Sequence, residues 1–110
     1  MDRVTLEEIV RREVADYSGP AYKAKTYYLE DTSQNLYMVV IIPDDNYPVE
    51  AHPGLVVAAR IVDNYIVIDT DITDKPLYQE LLRCGIPREQ MILRYAGEKL
   101  PKPEPENPAS

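Results

Sequence analysis

The chain has no phenylalanine and no tryptophan, and it contains one histidine, one cysteine and four glycines in 110 residues. Cys84 cannot form an internal disulfide, so we expect a reducing, cytoplasmic setting. Cys84 and His52 are far apart in sequence and belong to no cluster with zinc-ligand spacing. The glycines are scattered, so none forms a phosphate-cradling loop. We therefore expect no cofactor.

Long apolar runs are also missing. None approaches the roughly 20 residues that a membrane-spanning helix needs, and the N-terminus has no apolar signal segment. No pattern joins a nucleophile to a base and an oxyanion donor. The sequence therefore predicts a protein that does not contact membranes and is not an enzyme.

Positive charge is scarce in the middle of the chain. The net charge is −7, and residues 26–74 hold one basic residue, Arg60, against nine acidic ones. Duplex nucleic acid is bound by basic side chains that neutralise phosphates. Direct nucleic-acid binding is therefore disfavoured, and a basic protein partner is favoured.

Apolar residues over 2–18 follow helical spacing, which predicts an amphipathic first helix. Thr5 fits a capping box, with Val4 and Ile9 placed as its hydrophobic staple. Gly19 and Pro20 predict the end of this helix.

Four strand-like segments follow, each short and rich in β-branched or aromatic residues. The second is apolar on both faces, which predicts a central strand. Asp63 and Asn64 tolerate positive φ and predict a two-residue hairpin turn. The predicted strands are Tyr22–Glu30, Leu36–Ile42, Val56–Val62 and Tyr65–Asp71.

After Asp71 the apolar spacing changes to a helical period. Thr73 or Asp74 is the expected cap, with Pro76 in the first turn. Leu77, Leu81 and Leu82 form the predicted apolar stripe of this second helix. Gly85 predicts a left-handed end, with Ile86 folding back and Pro87 blocking continuation. A last strand is expected from Met91 to Tyr95.

These elements predict an α+β fold in the order α-β-β-β-β-α-β, with a mostly antiparallel sheet and helices on one face. Residues 1–98 form the expected single domain. Residues 99–110 carry four of the ten prolines and predict an extended, flexible tail.

The connection from Pro43 to Pro53 is the candidate functional surface, because it is long and contains acids beside a tyrosine. We expect Asp44, Asp45, Tyr47 and Glu50 to bind a protein partner. Nine tyrosines without other aromatics favour half-buried rings near an interface or simple use of tyrosine at the core edge.

Two alternative functions are open. Asp69, Asp71 and Glu80 have part of a calcium-loop spacing, but the required glycine is replaced by Asp74. This spacing leaves a metal-dependent enzyme as one alternative. The other is a factor that binds DNA directly through dispersed basic residues, which are Arg3, Arg11, Arg12, Lys23 and Lys25.

With Thr73-Asp74, Glu80-Leu81 and Gly85-Ile86-Pro87-Arg88, the chain resembles the XisI family, the fdxN-element excision controlling factors found mainly in filamentous cyanobacteria. The resemblance covers about residues 1–95. The most specific block is Gly85-Ile86-Pro87-Arg88, where the family typically reads Gly-Ile-Pro-Lys. Further matches are Thr73-Asp74, Glu80-Leu81, Met91-Ile92-Leu93 with Tyr95, and the hairpin residues Ile61, Asp63 and Ile66-Val67-Ile68.

This resemblance implies a small accessory protein for programmed excision of a DNA element, with recombination performed by a separate recombinase. It also implies a protein partner of the XisH type; a homo-oligomer is a further possibility. The chain departs from the family pattern at Ala58 and Arg60, where a His and an Asp are usual. It also departs at Pro43-Asp44-Asp45, which replaces Gly-Trp, and in the Pro-rich tail.

Overall fold

The computed structural model describes residues 1–45 and 52–102, which form one six-stranded sheet and two α-helices. The helices are α1 (Arg3–Ala15) and α2 (Leu77–Arg83). The strands are β1 (Gly19–Ala21), β2 (Ala24–Asp31), β3 (Leu36–Pro43), β4 (Gly54–Val62), β5 (Tyr65–Asp71) and β6 (Met91–Leu93). Short 3₁₀ turns, Arg88–Gln90 and Arg94–Ala96, flank β6.

The strands lie in the sheet in the order in which they occur in the chain. Neighbours pair antiparallel up to β5, whereas β5 and β6 are parallel because α2 carries the chain back between them. The predicted α+β class, the mostly antiparallel sheet and the order α-β-β-β-β-α-β are confirmed. The edge strand β1 is an addition that the sequence did not predict.

The addition of β1 corrects the predicted end of the first helix. The helix ends at Ala15, and Gly19 and Pro20 then pair with Thr26 and Lys25 of β2. Proline lacks a backbone N–H and is tolerated on an edge strand. The two helix-breaking residues therefore begin the sheet as well as following the helix.

Both helices cover one face of the sheet and form a continuous apolar core with it. Leu6, Val10 and Val14 of α1 are buried, as are Leu77 and Leu81 of α2. The sheet contributes alternate residues, as expected when one face of each strand is buried. These residues are Tyr37, Val39, Val57, Ala59, Ile61, Ile66, Ile68, Met91 and Leu93.

The cap of α1 differs from the predicted capping box. Asp2 caps the helix, and its Oδ1 accepts a hydrogen bond from the Thr5 backbone N at 2.9 Å. Hydrogen bonds from the Thr5 backbone and side chain lower the pKa of Asp2. Val4 is 64% exposed, so the predicted staple does not form. The cap is therefore three residues earlier in the chain than predicted, and it satisfies the backbone amide of Thr5 itself.

The β4–β5 turn is built as predicted. Asp63 has φ 49° and Asn64 has φ 67°, the left-handed values that a two-residue turn between twisted strands requires.

The start of α2 was predicted wrongly. The helix begins at Leu77, and its amide donates to Oδ2 of Asp71 at 2.7 Å rather than to Thr73 or Asp74. Pro76 has ψ 135°, so the backbone stays extended until Leu77 and the cap comes from further back in the chain. Leu82 is also exposed rather than part of the apolar stripe.

The end of α2 agrees with the prediction. Gly85 has φ 91°, and the Ile86 amide donates to the Leu81 carbonyl at 3.1 Å. Ile86 is buried, as is usual for the residue that folds back in this motif. The last strand is shorter than predicted, because the chain enters a 3₁₀ turn at Arg94 and reverses at Gly97.

Candidate protein-binding site at the loop end of the sheet

The predicted partner-binding residues lie at the end of the sheet where β3 is connected to β4. We name this the loop end. Asp44 and Asp45 follow β3 directly and are exposed. Tyr47 and Glu50 lie outside the described residues. Two of the four predicted residues are therefore exposed.

The turn between β1 and β2 lies beside Asp44. The Asp44 amide donates to the Lys23 carbonyl at 2.9 Å, which fixes the start of the connection against this turn. Lys23 has φ 53°, a left-handed value that is uncommon for lysine. Tyr22, its neighbour at the tip, is 82% exposed. The hairpin therefore presents a tyrosine and a lysine next to the acidic pair.

Cation–π contacts organise the basic side chains of this region. Lys23 Nζ lies 5.5 Å from the ring centre of Tyr22, and Lys25 Nζ lies 5.3 Å from that of Tyr27. Exposed contacts of this kind contribute roughly 0.5–1 kcal/mol. They place the Lys23 ammonium group beside the Tyr22 ring and the Lys25 ammonium group beside the Tyr27 ring.

We call the exposed set at this end the loop-end surface. It consists of Tyr22, Lys23, Lys25, Ile42, Asp44 and Asp45. An exposed aromatic ring among charges of both signs is suited to contact with another protein, where tyrosine often contributes strongly to binding. Charge pairs at the rim of such a contact guide association and orientation.

The sequence did not predict Tyr22, Lys23 and Lys25 as neighbours of the acidic pair. They are about twenty residues earlier in the chain, and only the antiparallel β2–β3 register brings them together. A positive-φ lysine at the tip of a hairpin gives little sequence signal, because glycine or asparagine is the usual residue there.

Several carboxylates of the acidic middle segment have structural partners. Asp31 accepts hydrogen bonds from Ser33 and Gln34, which lower its pKa. Glu30 pairs with Arg11, and Asp71 caps α2. The net negative charge of this segment is therefore less available to a partner than its composition suggests.

The three carboxylates of the metal-binding alternative have separate partners. Asp69 accepts from Arg60 at 2.6 Å and from Arg94 at 2.9 Å. Asp71 binds backbone amides, and Glu80 pairs with Lys75 and Arg83. Within residues 1–45 and 52–102, no group of three His, Cys, Asp or Glu side chains is placed to hold a metal ion.

The basic residues of the DNA-binding alternative lie in two separate places. Arg3 pairs with Glu7, Arg11 with Glu30, and Arg12 with Glu13, all on or beside α1. Lys23 and Lys25 belong to the loop-end surface. Arginines that already neutralise carboxylates offer less charge to phosphates.

In the part of the chain that the structure describes, no helix is long and apolar enough to cross a membrane. One mixed sheet, covered on one face by two helices and carrying a mixed-charge surface at one end, defines a small α+β domain. The chain belongs to the XisI family, because the family model described as XisI protein matches residues 1–102.

Two solved structures share this fold. A XisI-like protein from Anabaena variabilis is 22% identical, with a TM-score of 0.71 over 82% of this chain and 84% of that one. The fdxN element excision controlling factor XisI from Anabaena variabilis is 18% identical, with a TM-score of 0.66 over 84% of this chain and 91% of that one. A comparison with curated proteins gives no match.

Proposed function

We propose that this protein is a cytoplasmic accessory factor that controls excision of a DNA element by binding a protein partner of the XisH type. It does not itself catalyse recombination. Family membership over residues 1–102 is the observation that carries the proposal. The fold shared with an fdxN element excision controlling factor supports it.

The loop-end surface supports a protein as the bound molecule. Asp44 and Asp45 are exposed, and neither forms an ion pair within the described residues. Tyr22, which precedes Lys23 in the β1–β2 turn, is 82% exposed. A partner with basic side chains would meet exposed carboxylates and bury an aromatic ring.

Co-purification with the XisH-type partner at low and high salt tests this proposal. We expect a complex at low salt that weakens at high salt, because rim charges are screened. The double variant Asp44→Asn/Asp45→Asn should weaken the complex. Asp74→Asn, which also removes an exposed carboxylate, should leave it unchanged. No complex at low salt would contradict the proposal.

Two further measurements separate the alternatives. A gel shift at low salt with duplex DNA should show no complex for the isolated chain; a salt-sensitive shift would favour direct DNA binding. Titration with Ca²⁺ or Mn²⁺ should leave the melting temperature unchanged. An increase of several degrees would favour the metal-dependent enzyme.

A further inference from the structure

The face of the sheet opposite the helices, which we call the outer face, carries an apolar patch on β2, β3 and β4. Strand pairing arranges the side chains of this patch in two neighbouring rows. The first row contains Tyr27, Val40 and Leu55, and the second contains Leu29, Met38 and Ala58. Their neighbours in sequence, such as Tyr28 and Val39, pack in or against the core under the helices, so both rows face away from it.

The patch is accessible to a partner. Tyr27 is 41% exposed, Leu29 is 49% exposed and Leu55 is 43% exposed. Three strands over the length of Lys25 to Asp31 cover roughly 14 by 23 Å, from the usual strand spacing and rise. Contiguous apolar patches of a few hundred Å² are often sites where another protein binds. At β5 the patch ends, because the 3₁₀ turn Arg94–Ala96 packs on that strand.

The two rows differ in height, so the patch has both a hollow and projections. Leu29 and Met38 of the second row line a shallow hollow of about 210 Å³. The Tyr27 ring lies one row away from this hollow. On β4 the first row carries the exposed Leu55, whereas the second row carries Ala58, which is small and buried. A raised first row therefore lies beside a recessed second row.

Opposite charges lie at the two ends of β2 on this same face. Lys25 and Asp31 are each two residues from a member of the patch, so their side chains are on the outer face. The Lys25 ammonium group lies 5.3 Å from the ring centre of Tyr27. Hydrogen bonds from Ser33 and Gln34 lower the pKa of Asp31, which keeps the carboxylate ionised at neutral pH. The patch is thus positive at one end of β2 and negative at the other.

We propose that a second copy of this chain binds the outer face and forms a dimer with two-fold symmetry. The axis lies between the two sheets and crosses the strands at the middle of β2, so β2 of one copy runs antiparallel to β2 of the other. This rotation places Tyr27 over the hollow at Leu29 and Met38 of the other copy. It also places Leu55 over the small Ala58.

The same rotation brings Lys25 of each copy opposite Asp31 of the other. In a two-fold interface the same surface is used by both copies, so it must be complementary to itself. The outer face meets this requirement in shape and in charge with one operation. A uniformly acidic or uniformly basic partner would match only one end of β2. This self-complementarity favours a second copy as the occupant.

The size of the patch sets the strength of the contact. Two sheets that pack face to face lie about 10 Å apart and within roughly 30° of each other, which lets side chains of the two faces interlock. The area is smaller than the roughly 800 Å² per partner of a standard interface. We therefore expect a dimer that depends on concentration rather than a permanent one.

The inference goes beyond the proposed function, because it concerns the isolated chain. Lys25 belongs to both surfaces, whereas Leu29 lies outside the loop-end surface. Leu29→Ser should therefore weaken the dimer and leave co-purification with the XisH-type partner unchanged. Failure of the dimer and failure of partner binding are thus separate results.

Sedimentation equilibrium of the isolated chain tests the proposal. The mean mass should rise from 12.6 kDa towards twice that value between micromolar and millimolar concentration. In a mixture of carbon-13-labelled and unlabelled chains, isotope-filtered NOEs should connect the Tyr27 ring of one copy to the Met38 methyl group of the other. A monomer at every concentration, or a dimer without these NOEs, would overturn the proposal.

A serine substitution tests the apolar contact. Leu29→Ser should weaken dimerisation by more than about tenfold, because the two-fold axis makes one substitution act at two places. Leu82→Ser is the matched control, since Leu82 is 40% exposed but lies on α2, away from the outer face. Equal dimerisation in the two variants would show that the outer face is not the contact.

Lysine variants test the pairing of the strand ends. Lys25→Glu sets like charges opposite each other and should weaken the dimer about threefold or more. Lys25→Arg keeps the positive charge and should stay close to the wild type. If Lys25→Glu dimerises as well as Lys25→Arg, the copies are not related by the proposed axis.

Discussion

Asp71 shows how one side chain connects the sheet to the second helix. Its carboxylate accepts from the Thr73 amide at 2.9 Å and from the Leu77 amide at 2.7 Å. A buried or half-buried amide that loses its hydrogen-bond acceptor is not rehydrated by water. The free energy of unfolding then falls by the desolvation cost of that amide. The end of β5 and the start of α2 therefore depend on the same carboxylate.

Asp71→Ala should lower the free energy of unfolding by about 1–2 kcal/mol, the usual cost of losing a helix cap. Urea denaturation monitored by circular dichroism measures the change. Asp74→Ala is the matched control, because Asp74 is exposed and is not the cap, and it should stay within about 0.5 kcal/mol of the wild type. Equal losses in the two variants would show that Asp71 does not act as the cap.

Tyr28 carries a hydroxyl that is buried and makes no hydrogen bond within the described part of the chain. Burial, together with the nearby Glu30 carboxylate, raises the pKa of Tyr28 to about 12. Tyrosine in an unfolded chain has a pKa of about 10. Between these pH values the unfolded chain has released a proton that the folded chain keeps, so stability falls as pH rises. Below pH ~10 the contribution is fully present.

Tyr28→Phe removes the titrating hydroxyl and with it the loss of stability that this hydroxyl causes above pH ~10. Unfolding free energies measured from pH 9 to 12 should fall less steeply in Tyr28→Phe than in the wild type. At neutral pH the variant should be as stable or slightly more stable, since no hydrogen bond is lost. Tyr22→Phe, at an exposed position, should keep the wild-type slope. An unchanged slope in Tyr28→Phe would show that the titration of Tyr28 does not cause the fall in stability.

At the level of single residues, the sequence predicts which type of side chain is needed better than it predicts which residues interact. Thr73 or Asp74 was expected to cap α2, and the carboxylate of Asp71 accepts from the first helical amide instead. The choice of Asp71 over Thr73 or Asp74 depends on Pro76 holding the backbone extended up to Leu77.

Among the elements, the end of α2 depends on a glycine conformation. Gly85 has φ 91°, and the Gly85 and Ile86 amides donate to the Leu82 and Leu81 carbonyls. A side chain in the left-handed region costs about 1–2 kcal/mol. The Ile86 contact with the core depends on this geometry, because Ile86 is buried only when the chain turns here.

Gly85→Ala should therefore destabilise the protein by about 1 kcal/mol, after allowing for the reduced entropy of the unfolded chain. Thermal unfolding should show a lower midpoint, by roughly 4–8 °C for a domain of this size. Gly54→Ala is the control, since Gly54 has no positive φ and a Cβ there meets open space. A midpoint in Gly85→Ala equal to that of Gly54→Ala would argue against the motif.

Elements built from neighbouring residues were predicted well. The Asp63-Asn64 turn and the helix end at Gly85-Ile86-Pro87 each depend on consecutive residues whose conformations are restricted. The edge strand β1 was missed, because its three residues contain a Gly and a Pro and become a strand only by pairing with Thr26 and Lys25. Short edge strands of this kind carry no periodic signal.

For the whole molecule, the net charge of −7 is less informative than its distribution in three dimensions. The carboxylates of Glu30, Asp31, Asp69 and Asp71 have structural partners. Asp44 and Asp45 remain exposed beside Lys23 and Tyr22. In the acidic connection, the described residues Asp44 and Asp45 are exposed. The neighbouring lysines and tyrosine required the register of β2 and β3.

Hydrogen exchange of the chain alone and in complex with the XisH-type partner tests the central claim most directly. The account predicts slower exchange in the complex at the β1–β2 turn around Tyr22 and Lys23 and at Asp44 and Asp45. It predicts unchanged exchange along α1. Protection confined to α1 or α2, or no protection anywhere at low salt, would contradict partner binding at the loop-end surface.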